Sequence, residues 1–129
     1  MRMEFFSSKQ QAEWDSGKLD RQLEKIVIWA QEQVLPDWSF LVTCILRSEG
    51  EDHALKGTGV HTVWRAIDIR TQGQDPGVVD LITRRINAHW TYDSKRPRLP
   101  VAYSKPHGTG PHLHIQTHPR TVAVPEVSA

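Results

Sequence analysis

The pentapeptide His112-Leu113-His114-Ile115-Gln116 constrains this chain more than any other segment. Polar and apolar residues alternate, and successive side chains of a β-strand point to opposite faces. The spacing therefore predicts a strand with both imidazoles on one face and Leu113 and Ile115 behind them. A second run, Val63 to Arg70, reads the same way, with Trp64, Ala66, Asp68 and Arg70 on one face and His61 just before it. Imidazole nitrogen and carboxylate oxygen are what zinc takes, and a catalytic site uses three protein ligands with the fourth position open. An imidazole left over titrates near neutral pH and suits a general base. We assign His114 as ligand and His112 as the proton carrier, although the alternation by itself fits either order.

The rest of the chain supplies a scaffold. Asp20 can cap a helix whose apolar positions Leu23, Ile26, Val27, Ala30 and Val34 recur at helical spacing until Pro36 stops it. The strand formers Phe40 to Leu46 follow, with Cys44 expected to pack in the core. A Gly-rich loop from Glu49 to Val60 is expected to deliver His61. Asp75-Pro76 is a cap with a first-turn proline, and Val78, Val79, Ile82, Ile86 and Trp90 form the apolar face of a second helix. Val101 to Ser104 reads as a further strand, and the tail from Pro119 to Ala129 has little to bury and is expected to fray. The fold class expected is α+β in a single domain, residues 1–129 with a core of about 19–118. Helices pack on one side of a small, mainly antiparallel sheet, and the metal lies at its open face.

Composition excludes some functions. The 129 residues carry 16 Lys and Arg against 15 Asp and Glu, so no global field calls for nucleic acid. The stretch Lys95-Arg96-Pro97-Arg98 reads as a solvated loop. One cysteine allows no internal disulfide. The first residues, Met1 to Lys9, hold no sustained apolar segment; they read as neither a signal peptide nor a membrane span, which implies synthesis in the cytoplasm and release by another agent if the substrate lies outside.

Taken together, Thr43 to His53 with its Arg47-Ser48 pair, Gly57-Thr58-Gly59-Val60-His61, Arg65-Ala66-Ile67-Asp68-Ile69 and the late His112-Leu113-His114 resemble the zinc D-Ala-D-Ala peptidase and hedgehog-type superfamily. The likeness spans roughly residues 40 to 118. It implies one small zinc-binding fold, His61, Asp68 and His114 as zinc ligands, and Arg47 holding the substrate's carbonyl or carboxylate in the transition state. The carboxypeptidase branch usually carries Ser two residues before the metal His, Gly three after it and a Glu base near the last His. This chain has Gly59, Trp64 and no such Glu. It looks closer to branches with a His-x-His pair, including murein endopeptidases and phage-type lytic enzymes. The resemblance thus implies a zinc-dependent peptidase acting on peptidoglycan peptides as an endopeptidase of a lytic system. The alternatives are a D-Ala-D-Ala carboxypeptidase and a non-catalytic zinc-containing binding module.

Other residues have a weaker claim. His53 either orders the loop after the Arg47 strand or touches substrate, and Trp64 either walls the substrate groove or packs against it. His107 and His118 read as peripheral; four residues of extended chain, about 13 Å, separate His118 from His114. His89 is expected to meet the end of its helix.

Overall fold

A computed structural model describes residues 3–55, 58–105 and 110–125. The elements run β1 (Glu4–Phe5), α1 (Ser8–Asp15), α2 (Arg21–Val34), β2 (Leu41–Cys44), α3 (Glu49–Ala54), a 3-10 turn (Val60–Val63), β3 (Ala66–Arg70), α4 (Pro76–His89), β4 (Trp90–Thr91), β5 (Ala102–Lys105), β6 (His112–Gln116) and β7 (Val122–Ala123). His107, Glu126 to Ala129 and the Lys56-Gly57 pair lie outside the described residues.

Both long helices start where their caps demand. The Asp20 carboxylate accepts from Leu23 N–H and the Asp75 carboxylate from Gly77 N–H, with Pro76 in the first turn. The buried stripe of α2 is Leu23, Ile26, Val27, Ala30, Gln31 and Val34, and that of α4 is Val79, Ile82 and Ile86. The two helices pack against each other and against β5 and β6. Beneath them lie Val42, Ile67, Ile69, Leu113 and Ile115, all fully buried. Gln31 is buried as well, and it clamps the turn after its helix: its amide N–H donates to Trp38 O (2.7 Å) and its oxygen accepts from Phe40 N–H (2.7 Å).

The main sheet has the order β1-β2-β3-β6-β5. It is mixed, which corrects the expected mainly antiparallel sheet: β1 lies parallel to β2, while β2–β3, β3–β6 and β6–β5 are antiparallel. A parallel pair needs a long crossover, and the segment carrying α1 and α2 supplies it. One-sided helix packing holds for α2 and α4 but not for α3. Asp52 of α3 reaches Arg47, which in turn reaches Asp68 on the opposite face of the sheet.

Three local expectations change. The segment 49–60 is not all loop: Ser48 and Glu51 form a reciprocal capping box that starts α3, with acids in its first turn. The strand after His61 begins at Ala66, because the chain first closes the 3-10 turn and leaves it at Trp64 with φ 63°. Within the tail, residues 121–123 are pinned, since β7 pairs with β4 and Thr121 Oγ1 donates to Tyr92 O (2.9 Å). Around the basic stretch, the buried Asp93 accepts from Lys95 N–H, Arg96 Nε–H and Arg120, which organises that loop from within.

Candidate metal centre

Register decides what meets on the face away from the helices. Asp68 pairs with His114 across β3–β6, and His114 pairs with Tyr103 across β6–β5. Alternation turns Asp68, His112 and His114 to this face, because their neighbours Ile67, Ile69, Leu113 and Ile115 fill the core. His61 arrives from the 3-10 turn, which enters through Gly59 at φ 90°, a left-handed conformation that glycine adopts at little cost.

All four side chains are buried and converge on one carboxylate. His114 Nδ1 lies 2.8 Å from Asp68 Oδ1, His61 Nε2 3.3 Å from Oδ2, and His112 Nε2 3.7 Å from Oδ2. The outer nitrogens explain the tautomers. His61 Nδ1 faces Ile45 O at 3.0 Å and His112 Nδ1 faces Gly110 O at 2.9 Å, so both must donate there. His114 Nε2 faces Gln116 Oε1 at 3.0 Å, and that amide's N–H donates to Pro100 O, which fixes its oxygen toward the ring. A neutral imidazole has one N–H. With all three rings neutral, each would turn a bare nitrogen at a carboxylate that also accepts only, and a proton on His61 is one way the conflict is relieved. His61 Nε2 is buried with no hydrogen-bond partner. Facing acceptors in a buried site need a proton or a metal ion between them, and outward N–H groups held by carbonyls are the arrangement that orients metal-binding histidines.

Arg47 supplies part of that positive charge. Its guanidinium spans Asp52 Oδ1 and Asp68 Oδ2, each at 3.3 Å. Asp52 also accepts from Gly59 N–H at 2.9 Å, so one buried carboxylate fixes both Arg47 and the entry to the His61 turn. Burial pushes the Asp68 carboxyl up, but hydrogen bonds from His114 and His61 outweigh it and hold the group well below the usual carboxylate range. Burial pushes His61 down, yet the Asp68 and Cys44 contacts raise it to about 9. His114 is lowered, chiefly by burial, which Asp68 offsets only in part.

Cys44, expected in the core, faces the site instead. Its Sγ lies 3.6 Å from His61 Nδ1, and one donor atom each of Cys44, His61 and Asp68 lie within 4.8 Å of one another, a group that can hold a metal ion. Parity with the buried Val42 predicted the opposite face. Between Val42↔Ile69 and Cys44↔Asp68, however, β2 advances two residues against one on β3, and this bulge turns Cys44 over.

Of the residues singled out in the sequence, His61, Asp68, His112, His114 and Arg47 come together. His53 is exposed on α3. Trp64 is half-buried against the core, with Lys18 Nζ 5.9 Å from its ring centroid. His89 meets its own helix end, Nδ1 lying 2.8 Å from Arg85 O, and stacks on Trp29 at 4.6 Å. His118 lies against Tyr92. Sequence reasoning missed Asp52, Gln116 and Tyr103, whose ring centroid is 4.8 Å from that of His114. The period-2 pattern does place Gln116 on the His114 face. Among the described residues no helix is long and apolar enough to cross a membrane. Compared with protein-family models, with curated proteins and with solved structures, the chain matches none.

Proposed function

We propose that this chain is a zinc-dependent peptidase acting on peptidoglycan peptides, as an endopeptidase of a lytic system. The observation that carries the metal is that the inward nitrogens of His61 and His114 meet the Asp68 carboxylate in a buried site while their outer nitrogens are held by Ile45 O and Gln116 Oε1. The substrate class rests on the resemblance carried by Arg47-Ser48, His61, Asp68 and the His-x-His pair. His61, Asp68 and His114 would hold the ion, a nitrogen and carboxylate donor set that suits zinc. Bound there, zinc polarises the scissile carbonyl and lets water ionise near neutral pH.

The chain's own groups do the rest. His112 donates from Nδ1 to Gly110 O, so its Nε2 is free to accept a proton from the attacking water and return it to the leaving amine. Arg47 is permanently charged and locked by two carboxylates, so its remaining N–H groups are preorganised to receive the oxygen that becomes negative. Asp52 acts through Arg47 as a positioning residue.

The test is release of new amino or carboxyl termini from purified peptidoglycan. Zinc-loaded protein should release them. His112→Ala should keep zinc and lose about 10²–10⁴ in rate, whereas His114→Ala should lose zinc and cleavage together. Intact walls in the presence of zinc-loaded protein would overturn the peptidase reading in favour of a binding module.

A further inference from the structure

The polar face of the sheet carries a second row of side chains beside the metal row. Asp68, His114 and Tyr103 pair across β3, β6 and β5, and two residues along each strand Arg70, His112 and Lys105 pair in the same way. Both rows point to one face, because side chains two apart in a strand do. On the other side of the metal row the partners are Ala66 and Gln116, which carry no charge. The face is therefore polarised along the strands, from neutral through the metal donors to basic.

Among the described residues the two cations of this row have no internal ion pair, in contrast to Arg47 at the metal row. Arg47, Arg65, Arg84, Arg96 and Arg120 each lie within 4 Å of a carboxylate. Among the described residues neither Arg70 nor Lys105 has an acidic partner; each is half-buried over a ring instead, Arg70 Cζ 5.7 Å from the Phe6 centroid and Lys105 Nζ 5.3 Å from that of Tyr103. Arg70 opens into a cavity of about 230 Å³ whose walls are Phe6, Thr43, Gly110, Pro111 and His112. His112 lines the cavity and also approaches the Asp68 carboxylate, so it stands between the cavity and the metal centre. A guanidinium has a fork of donors that matches a carboxylate in two parallel bonds. Half-buried beside an aromatic ring, with no internal anion, it is poised for an external one.

We propose that Arg70, with Lys105 on the far side of His112, forms a subsite for a carboxylate-bearing residue of the bound peptide. Two strand residues separate the rows, about 7 Å, and extended peptide spans about 3.3–3.6 Å per residue. The carboxylate then sits one or two residues from the bond placed at the metal. It is either the C-terminal carboxylate of the peptide or an acidic side chain within it. The peptide nature of the ligand rests on the peptidase reading, but the carboxylate preference does not require turnover.

Chemical-shift titration of zinc-loaded protein tests this with three small probes: acetyl-D-Ala, acetyl-D-Ala amide and the α-amide of acetyl-D-Glu. The expected result is at least tenfold tighter binding of one or both carboxylates than of the neutral amide. Preference for acetyl-D-Ala identifies a chain end, and preference for the Glu amide an internal acidic residue. Arg70→Gln should abolish the preference with zinc content unchanged, and Arg70→Lys should restore part of it. Equal binding of all three probes overturns the subsite. So does a preference that survives in Arg70→Gln, because the carboxylate is then held by the metal. If peptidoglycan stays intact while the Arg70-dependent preference is found, the peptidase reading falls and the subsite stands.

Discussion

Zinc uptake should release about one proton per chain at pH 7, and the proton should come from His61. A ligand nitrogen must be bare before it binds a metal. In the metal-free protein burial pushes the His61 imidazolium down, but Asp68 and Cys44 lift it to about 9. At pH 7, about two pH units lower, roughly 99% of chains carry that proton, and the apparent zinc affinity is about 100-fold weaker than in its absence, or about 2.7 kcal/mol. Asp68 and His114 should add nothing, since the first is held well below the carboxylate range and the second is lowered. Affinity should therefore rise about tenfold for each pH unit between 6.5 and 8. Calorimetry in buffers of different ionisation enthalpy counts the protons, and competition with a chromophoric chelator reads the affinity. For folding of the metal-free chain the sign is opposite. His61 is raised above its ordinary value, so its contribution is fully present below about pH 6.5 and is lost as pH rises through about 9. Zinc should accordingly stabilise the fold more at pH 8 than at pH 6.5. Uptake that releases no proton, with a flat affinity over this range, would refute the reasoning.

Two further outcomes follow from single contacts. Cys44→Ser should keep zinc near one per chain, because Sγ faces His61 Nδ1 whereas the nitrogen turned to Asp68 is Nε2; zinc lost as completely as in His114→Ala, by elemental analysis, would move the ion to the Cys44 side. Gln31→Leu should cost about 2–6 kcal/mol in chemical denaturation, since Trp38 O and Phe40 N–H both lose a buried partner at about 1–3 kcal/mol each. A loss under about 1 kcal/mol would mean that the turn finds its hydrogen bonds elsewhere.

The parts legible in the sequence are those whose signal is local and repeated. Asp20 and Asp75-Pro76 announce α2 and α4, and the alternation in Ala66–Arg70 and His112–Gln116 announces β3 and β6 together with the face each presents. The capping box Ser48-Glu49-Gly50-Glu51 was equally readable, but the glycines around it read as loop. Strands β1, β4 and β7 are two residues each and exist only through their partners, so no period within them reveals them. Cys44 was misplaced because a bulge changes parity without changing sequence pattern. Arg70 and Lys105 lie 35 positions apart, and nothing but the register of β3, β6 and β5 makes them neighbours.

The same register ties the chemistry to the stability of the fold. Ile67, Ile69, Leu113 and Ile115 are fully buried, and each alternates with a residue of the polar face. At about 1.5–3 kcal/mol per buried side chain their contribution is about 6–12 kcal/mol, comparable to the whole stability of a small domain. A slip of one residue in either strand would turn its isoleucines or leucine to water and drive Asp68, or His112 and His114, into the core. Such slips are therefore excluded by the hydrophobic term, and the relative positions of Asp68, His114, Arg70 and His112 are fixed without any interaction among themselves. That keeps the inward nitrogens at the Asp68 carboxylate whether a proton or a metal ion lies between them. His61 is held differently, by a 3-10 turn whose entry depends on the Gly59 N–H bond to Asp52. Of the groups around Asp68, His61 is thus the one whose position depends on a polar contact rather than on the core. The buried carboxylate of Asp52, by fixing both this turn and Arg47, couples the ligand to the group that faces the developing negative charge.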